Sequence, residues 1–104
     1  MPRHSVYTES VFEWDPRKAE ANAAKHGVSF DEAVTVFLDG NALDGPDLQH
    51  SKAELRLLRL GRAADGYVLM VAYTLRRSGD AETIRIISAR RASRRERAPY
   101  SAKD

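Results

Sequence analysis

The sequence predicts a single α+β domain, and three observations carry that prediction. The chain has 104 residues, the length of one ordinary domain. Two capped helical segments follow one another in the N-terminal third. Three strand-like runs joined by hairpin connections then fill residues 54–88.

The first element is Val11-Phe12-Glu13-Trp14, whose apolar–polar alternation suits a short strand with Phe12 and Trp14 in the core. Asp15-Pro16 opens a helix, with Asp as N-cap and Pro at a first position where its missing N–H costs nothing. Gly27 ends that helix because it adopts the left-handed C′ conformation without strain. Lys25 and His26 occupy its last turn, where a cation suits the dipole. Ser29-Phe30-Asp31-Glu32 is a capping box. The helix it opens carries Phe30, Ala33, Val34, Phe37 and Leu38 at helical spacing and stops at Asp39-Gly40.

Asn41 to Lys52, with Gly45-Pro46 and several acids, reads as a surface loop. Three strands follow: Glu54 to Gly61, Tyr67 to Leu75 and Glu82 to Ser88. The apolar run Val68-Leu69-Met70-Val71-Ala72 places the second at the centre of the sheet. Ala89 to Arg97 reads as a last helix, stopped by Pro99, with only alanines to hold it down. The expected order is β-α-α-β-β-β-α, an antiparallel sheet of about four strands with two N-terminal helices and one C-terminal helix. Residues 1–10 are expected as a flexible extension, 11–100 as the domain and 101–104 as a tail.

Composition narrows the function. There are no cysteines, which excludes disulfides and thiolate metal sites and makes a reducing, cytoplasmic compartment the natural one. No apolar run has the length of a signal sequence or a membrane span. Net charge is only +2, but it is unevenly spread. Between Arg76 and Arg97 lie eight arginines against three acids; between Asp31 and Glu54 lie six acids against Lys52 alone. Such asymmetry points to an anionic partner at one end.

The candidate chemistry follows from these residues. The histidines His4, His26 and His50 show no i, i+4 pairing, so a metal site finds little support. Asp44 and Asp47 near His50 read as a solvated acidic loop. No glycine-rich phosphate loop exists, and no cofactor is expected. Arginine grips phosphate through a planar fork of donors. By alternation, Arg85 faces away from Ile84 and Ile86, Arg56 faces away from Leu55 and Leu57, and Arg76 ends the central strand. These three can share one sheet face, either as a phosphate-binding surface or as an ordinary solvated one. Metal-free RNA cleavage also needs a base, an acid and charge stabilisation. Glu54, expected on the face of Arg56, and His26 are the candidates for proton transfer, with helix capping the alternative for His26. Tyr100 is either a base-stacking group or proton donor, or a packing residue.

Phe12-Glu13-Trp14-Asp15, Lys25-His26-Gly27-Val28-Ser29-Phe30-Asp31-Glu32-Ala33, Glu54-Leu55-Arg56, Tyr73-Thr74-Leu75-Arg76 and Ile84-Arg85-Ile86-Ile87-Ser88-Ala89-Arg90, followed by Glu96-Arg97 and Tyr100, together resemble the BrnT family over residues 11–100. The resemblance implies a RelE-like ribonuclease fold and a toxin of a type II toxin–antitoxin system. Such a toxin cleaves RNA without a cofactor and arrests translation and growth. It implies a partner, a BrnA-like ribbon-helix-helix antitoxin, through which alone the complex contacts operator DNA. It also implies phosphate contacts from Arg56, Arg76, Arg85 and Arg90, and it matches Lys25, His26 and Glu54 to motif positions without fixing their roles. The residues alone leave two other readings open: a non-catalytic nucleic-acid-binding module, and a protein-interaction module docking through its basic C-terminal segment.

Overall fold

The computed structural model describes the backbone of residues 3–7 and 10–103, and the side chains of residues 12–77 and 79–101. The strands are β1 (Arg3–Tyr7), β2 (Ser10–Trp14), β3 (Leu43–Pro46), β4 (Leu57–Arg62), β5 (Val68–Ser78) and β6 (Ala81–Arg91). The helices are α1 (Pro16–His26), α2 (Phe30–Thr35), continued by a 3-10 turn over Val36–Leu38, and α3 (Arg94–Lys103). The α+β class holds, but the sheet differs from expectation. Among the described residues it has six strands in the order β1-β2-β6-β5-β4-β3. It is mixed rather than antiparallel, because β2 pairs parallel to β6 through Val11–Thr83, Phe12–Ile84 and Glu13–Arg85.

The two additional strands are edges. β1, within the expected extension, pairs antiparallel with β2; residues 1, 2, 8 and 9 of that extension, and Asp104 of the expected tail, lie outside the described residues. β3 falls inside the expected acidic loop and pairs with β4 from Leu43–Leu60 to Pro46–Leu57. Its Gly45-Pro46 looks like a loop signal, yet proline is tolerated on an edge strand whose N–H side needs no partner.

The helix starts follow their caps. Asp15 accepts from the Arg17 N–H at 2.9 Å, and Gly27 takes φ 69° with its N–H on the Ala23 carbonyl. Ser29 Oγ accepts from the Glu32 N–H at 3.0 Å. α1 and α2 pack on one sheet face. There Phe12, Trp14, Phe30, Val34, Val36, Leu69, Val71, Tyr73, Ile86 and Ala89 form the main core. Trp14 meets Phe30 edge-on, and Phe37 bridges Phe12 and Tyr73. Gly61 permits the closest approach, since a Cβ there would lie 2.8 Å from Val36 Cγ1.

The C-terminal helix departs most from expectation. β6 runs on to Arg91, and α3 starts at Arg94 and passes through Pro99. Ser93-Arg94-Arg95-Glu96 is a second capping box: Glu96 N–H donates to Ser93 Oγ at 3.1 Å, and Ser93 N–H donates to Glu96 Oε1 at 2.9 Å. Arg90 adds two donations to the Glu96 carboxylate, at 2.6 and 2.7 Å. Tyr100, only 2 % exposed, anchors the other end in a second cluster with Leu60, Val68 and Ala92. Its hydroxyl donates to Asp39 Oδ2 at 2.6 Å, and Arg62 stacks over its ring. Burial works to raise the Asp39 pKa. Donations from the Arg62 N–H, the Tyr100 hydroxyl and the Asn41 N–H outweigh burial and hold the carboxyl below its ordinary value.

Asn22 is 7 % exposed, on the sheet side of α1. Its amide donates to the Val28 carbonyl at 3.0 Å and the Ala89 carbonyl at 2.8 Å, and accepts from the Ala89 N–H at 3.1 Å. Two stability predictions follow from these contacts. Replacing Asn22 with Leu strands buried backbone groups, each worth about 1–3 kcal/mol, so the urea midpoint falls sharply. The Arg90 bond, then the Ser93 N–H, lower the Glu96 pKa from 4.5 to about 2. A carboxylate whose folded pKa lies below its unfolded one stabilises fully above the unfolded value, and that stabilisation is lost as pH falls through the folded value. Thermal melts between pH 5 and pH 2, as an order-of-magnitude window, should therefore show a smaller loss of stability in Glu96→Gln than in the wild type.

Candidate functional site

The sheet face opposite α1 and α2 carries the arginines. Along β5, alternation puts Met70, Ala72, Thr74 and Arg76 on this face, since Leu69, Val71 and Tyr73 belong to the helix-side core. The register sets Arg85 against Thr74 and Arg90 against Met70. Arg85 and Arg90 are five positions apart, so an uninterrupted strand would point them to opposite faces. A bulge resolves this. The pairing steps from Ala72–Ser88 to Tyr73–Ile86 and leaves Ile87 as the extra residue. Core residues change parity across it, from Ile84 and Ile86 to Ala89, and both arginines reach the open face.

The arginines differ in their neighbours. Arg85 lies 3.4 Å from Glu13, with both side chains largely buried. Arg76 lies 3.8 Å from Glu54, with both about half exposed, so that pair contributes little. Arg90 keeps its fork on Glu96, which raises its pKa, yet still lines an open pocket. Among the described residues no carboxylate pairs with Arg56. Thr74, in the row of Arg85, is buried, and among the described residues its hydroxyl has no hydrogen-bond partner.

A pocket of about 240 Å³ opens on this face. Leu58, Met70, Ala72 and Ser88 contribute to its lining, together with Arg56, Arg90, Asp47 and His50. The loop from Asp47 to Arg56 is closed by the Asp47 N–H on the Arg56 carbonyl at 2.8 Å. Ser51 Oγ accepts from the Arg56 N–H at 2.9 Å and donates to the Asp47 carbonyl at 2.8 Å. These local bonds compete with strand pairing, so β4 begins at Leu57, and the expected strand from Glu54 starts late. Asp47, itself 7 % exposed, holds His50 Nδ1 at 2.9 and 3.1 Å from its two oxygens.

The structure brings Arg56, Arg76, Arg85 and Arg90 onto one face. It separates the other candidates. Glu54 precedes β4 and reaches Arg76 rather than the pocket. Lys25 and His26 line a distinct cleft of about 220 Å³ with Lys18, Asn22 and Ile87, which meets the arginine pocket only at Ser88. Tyr100 is corrected outright: its buried ring and occupied hydroxyl make it a packing residue, unable to stack a base. Sequence reading passed over His50 and Asp47 as part of a solvated loop. The signal was there in the spacing, since an Asp three residues before a His can reach its Nδ1 across one turn. Among the described residues no group of three or more His, Cys, Asp or Glu could hold a metal ion.

A family model described as the ribonuclease toxin BrnT of type II toxin–antitoxin systems matches residues 14–96. The chain belongs to the BrnT family. The crystal structure of the Brucella abortus ribonuclease toxin BrnT is similar to it, with a TM-score of 0.59 and 27 % identity, covering 84 % of this chain and 100 % of that one. No curated protein matches the chain. The BrnT match takes in α1, the whole arginine face, Asp47 and His50, and stops at Glu96, before Tyr100. Among the described residues of this BrnT-family chain, no helix is long and apolar enough to cross a membrane.

Proposed function

We propose that this protein is a metal-independent endoribonuclease toxin whose arginine face holds the scissile phosphate of RNA. The observation that carries the reading is the convergence of Arg56, Arg76, Arg85 and Arg90 on one sheet face, with a pocket between Arg56 and Arg90. Strand-borne guanidinium groups are well suited to phosphate. Their donors are preplaced by the sheet, and they stabilise the extra negative charge of a pentavalent phosphorane without reorganising. Arg85, whose side chain is 20 % exposed against 51 % for Arg76 and 43 % for Arg90, is assigned to the transition state together with Arg56, which lines the pocket. Arg76 and Arg90 hold the flanking backbone, and Glu54 orients Arg76. Lys25 and His26 continue the basic surface past Ser88 along the strand of RNA.

RelE-like cleavage, cytoplasmic action on translation and growth, and neutralisation by a BrnA-like ribbon-helix-helix antitoxin complete the proposal. Operator DNA would be reached only through that antitoxin. Family membership supports a type II antitoxin partner and an RNA target. The α3 arginines Arg94, Arg95 and Arg97 are exposed and lie off the pocket, so they suit general attraction or antitoxin docking.

Two measurements test this reading. Purified protein should cut single-stranded RNA in excess EDTA, and Arg85→Ala should lower the rate by about 10²-fold or more, as loss of a preorganised charge contact does; unchanged cleavage by that variant removes the site assignment. Neutralising about four phosphates on a single strand gives a log–log salt slope of binding near −3, and each Arg→Ala on the face should reduce it by about 0.7. Steep salt-dependent binding with no cleavage would favour a non-catalytic RNA-binding module instead.

A further inference from the structure

We infer that His50, oriented by Asp47, is the proton-transfer group of the arginine pocket; the inference rests on the ribonuclease reading above. Phosphate-gripping arginines cannot take a proton from a ribose hydroxyl, because guanidinium stays charged throughout the accessible pH range. The pocket therefore needs a separate base. Glu54 does not line it, and His26 lies in the adjoining cleft.

His50 lines the same pocket as Arg56 and Arg90. Its side chain is 59 % exposed, whereas that of Asp47 is 9 % exposed, so the pair has a solvent-facing ring on a buried support. With both Asp47 oxygens near Nδ1, the ring donates its Nδ1–H to the carboxylate. In the neutral ring Nε2 is then the lone-pair acceptor, the tautomer a general base requires. The loop geometry fixes the pair relative to the phosphate site. The Asp47 N–H bonds the Arg56 carbonyl, and Ser51 bonds both ends of the loop. The group that orients the base and the group that grips the phosphate are thus joined by one backbone hydrogen bond. The charged groups facing the imidazole are Asp47 on its own loop, Arg56 ahead of β4 and Arg90 of β6, the last paired with Glu96 of α3.

In the step assigned to this pair, His50 Nε2 takes the proton of a ribose 2′-hydroxyl as that oxygen bonds to phosphorus. The bond from phosphorus to the 5′-oxygen breaks. The departing oxygen takes a proton from water, and the hydroxide left behind is neutralised by the proton the imidazolium releases. The products are a 2′,3′-cyclic phosphate and a 5′-hydroxyl, with no oxidant, metal or co-reactant consumed. Asp47 is a positioning residue in this scheme.

The test uses the purified full chain and a long single-stranded RNA transcript of mixed sequence in EDTA, with product ends identified chemically. His50→Gln should lower kcat by about 10²–10⁴-fold with KM and thermal midpoint unchanged. Imidazole added to His50→Ala should restore part of the rate. For Asp47→Asn, nitrogen NMR of the His50 ring should show the Nδ1–H tautomer of the wild type giving way to a mixture, alongside a lower kcat. Cleavage by His50→Gln at the wild-type rate, while Arg56→Ala is impaired, overturns the assignment of His50 and leaves the ribonuclease reading standing. A 5′-phosphate product also overturns it. A wild-type chain that leaves RNA uncut overturns both readings together.

Discussion

The geometry of the arginine face depends on how the outer edge of β6 is satisfied. β2 pairs with β6 only as far as Glu13–Arg85. Beyond that point the N–H and C=O of Ala89 face no strand. Asn22 stands in for one, meeting both groups with a single side-chain amide while its second N–H reaches Val28. A buried strand edge left open would cost the full desolvation of those groups. With α1 fixed there, the strand can carry its extra residue at Ile87 and still close the core through Ile86 and Ala89. The change of parity across Ile87 is what turns Arg85 and Arg90 to the same side. One buried asparagine thus supports the fold and the spacing of the open-face arginines together.

The arginines of this chain are chemically identical and do different work according to what surrounds them. Arg59 lies on the helix side of β4, over the Phe37 ring, and donates to the Val36 and Asp39 carbonyls and to Asp44. Every part of its fork is used internally, so it ties the 3-10 turn to the sheet. Asp44 also accepts from Tyr73, whose hydroxyl pKa is pushed up by burial and by that bond. Arg62 and Arg91 spread over Tyr100 and Tyr67. The open-face arginines have fewer commitments. Arg90 is intermediate, with two donors on Glu96 and three left for a ligand, which places the start of α3 and the edge of the pocket under one ion pair.

α3 and the arginine face divide one side of the sheet between them. Leu60, Val68 and Met70 pack toward Tyr100 and Ala92. The helix is held at its start by Ser93 and Glu96 and at its end by Tyr100 on Asp39, which explains how a segment with almost no apolar face, and with Pro99 inside it, remains helical. The first anchor is a local capping box that Arg90 ties to β6; the second is a distant contact, the Tyr100 ring packed with Leu60, Val68 and Ala92 and its hydroxyl on Asp39.

By itself the sequence determined the α+β class, both N-terminal helix starts, the central apolar strand and the placement of Phe12 and Trp14 in the core. Each of these rests on local chemistry: a cap three residues from its donor, a glycine at positive φ, an alternation of period two. It also carried the BrnT resemblance, in motifs read along the chain. The tertiary structure decided what depends on distant partners. Pairing direction made the sheet mixed, because nothing in Val11–Trp14 says which strand it will meet. Edge pairing turned Leu43–Pro46 into a strand. The bulge at Ile87 overrode the alternation that reading along the chain assumes, and brought Arg90 beside Arg56 and His50. Tyr100 moved from a candidate ligand group to a buried anchor, since Asp39 lies 61 positions away and only folding joins them. The site is therefore legible as residue types in the sequence, and as a constellation only once the sheet has set which side each of them faces.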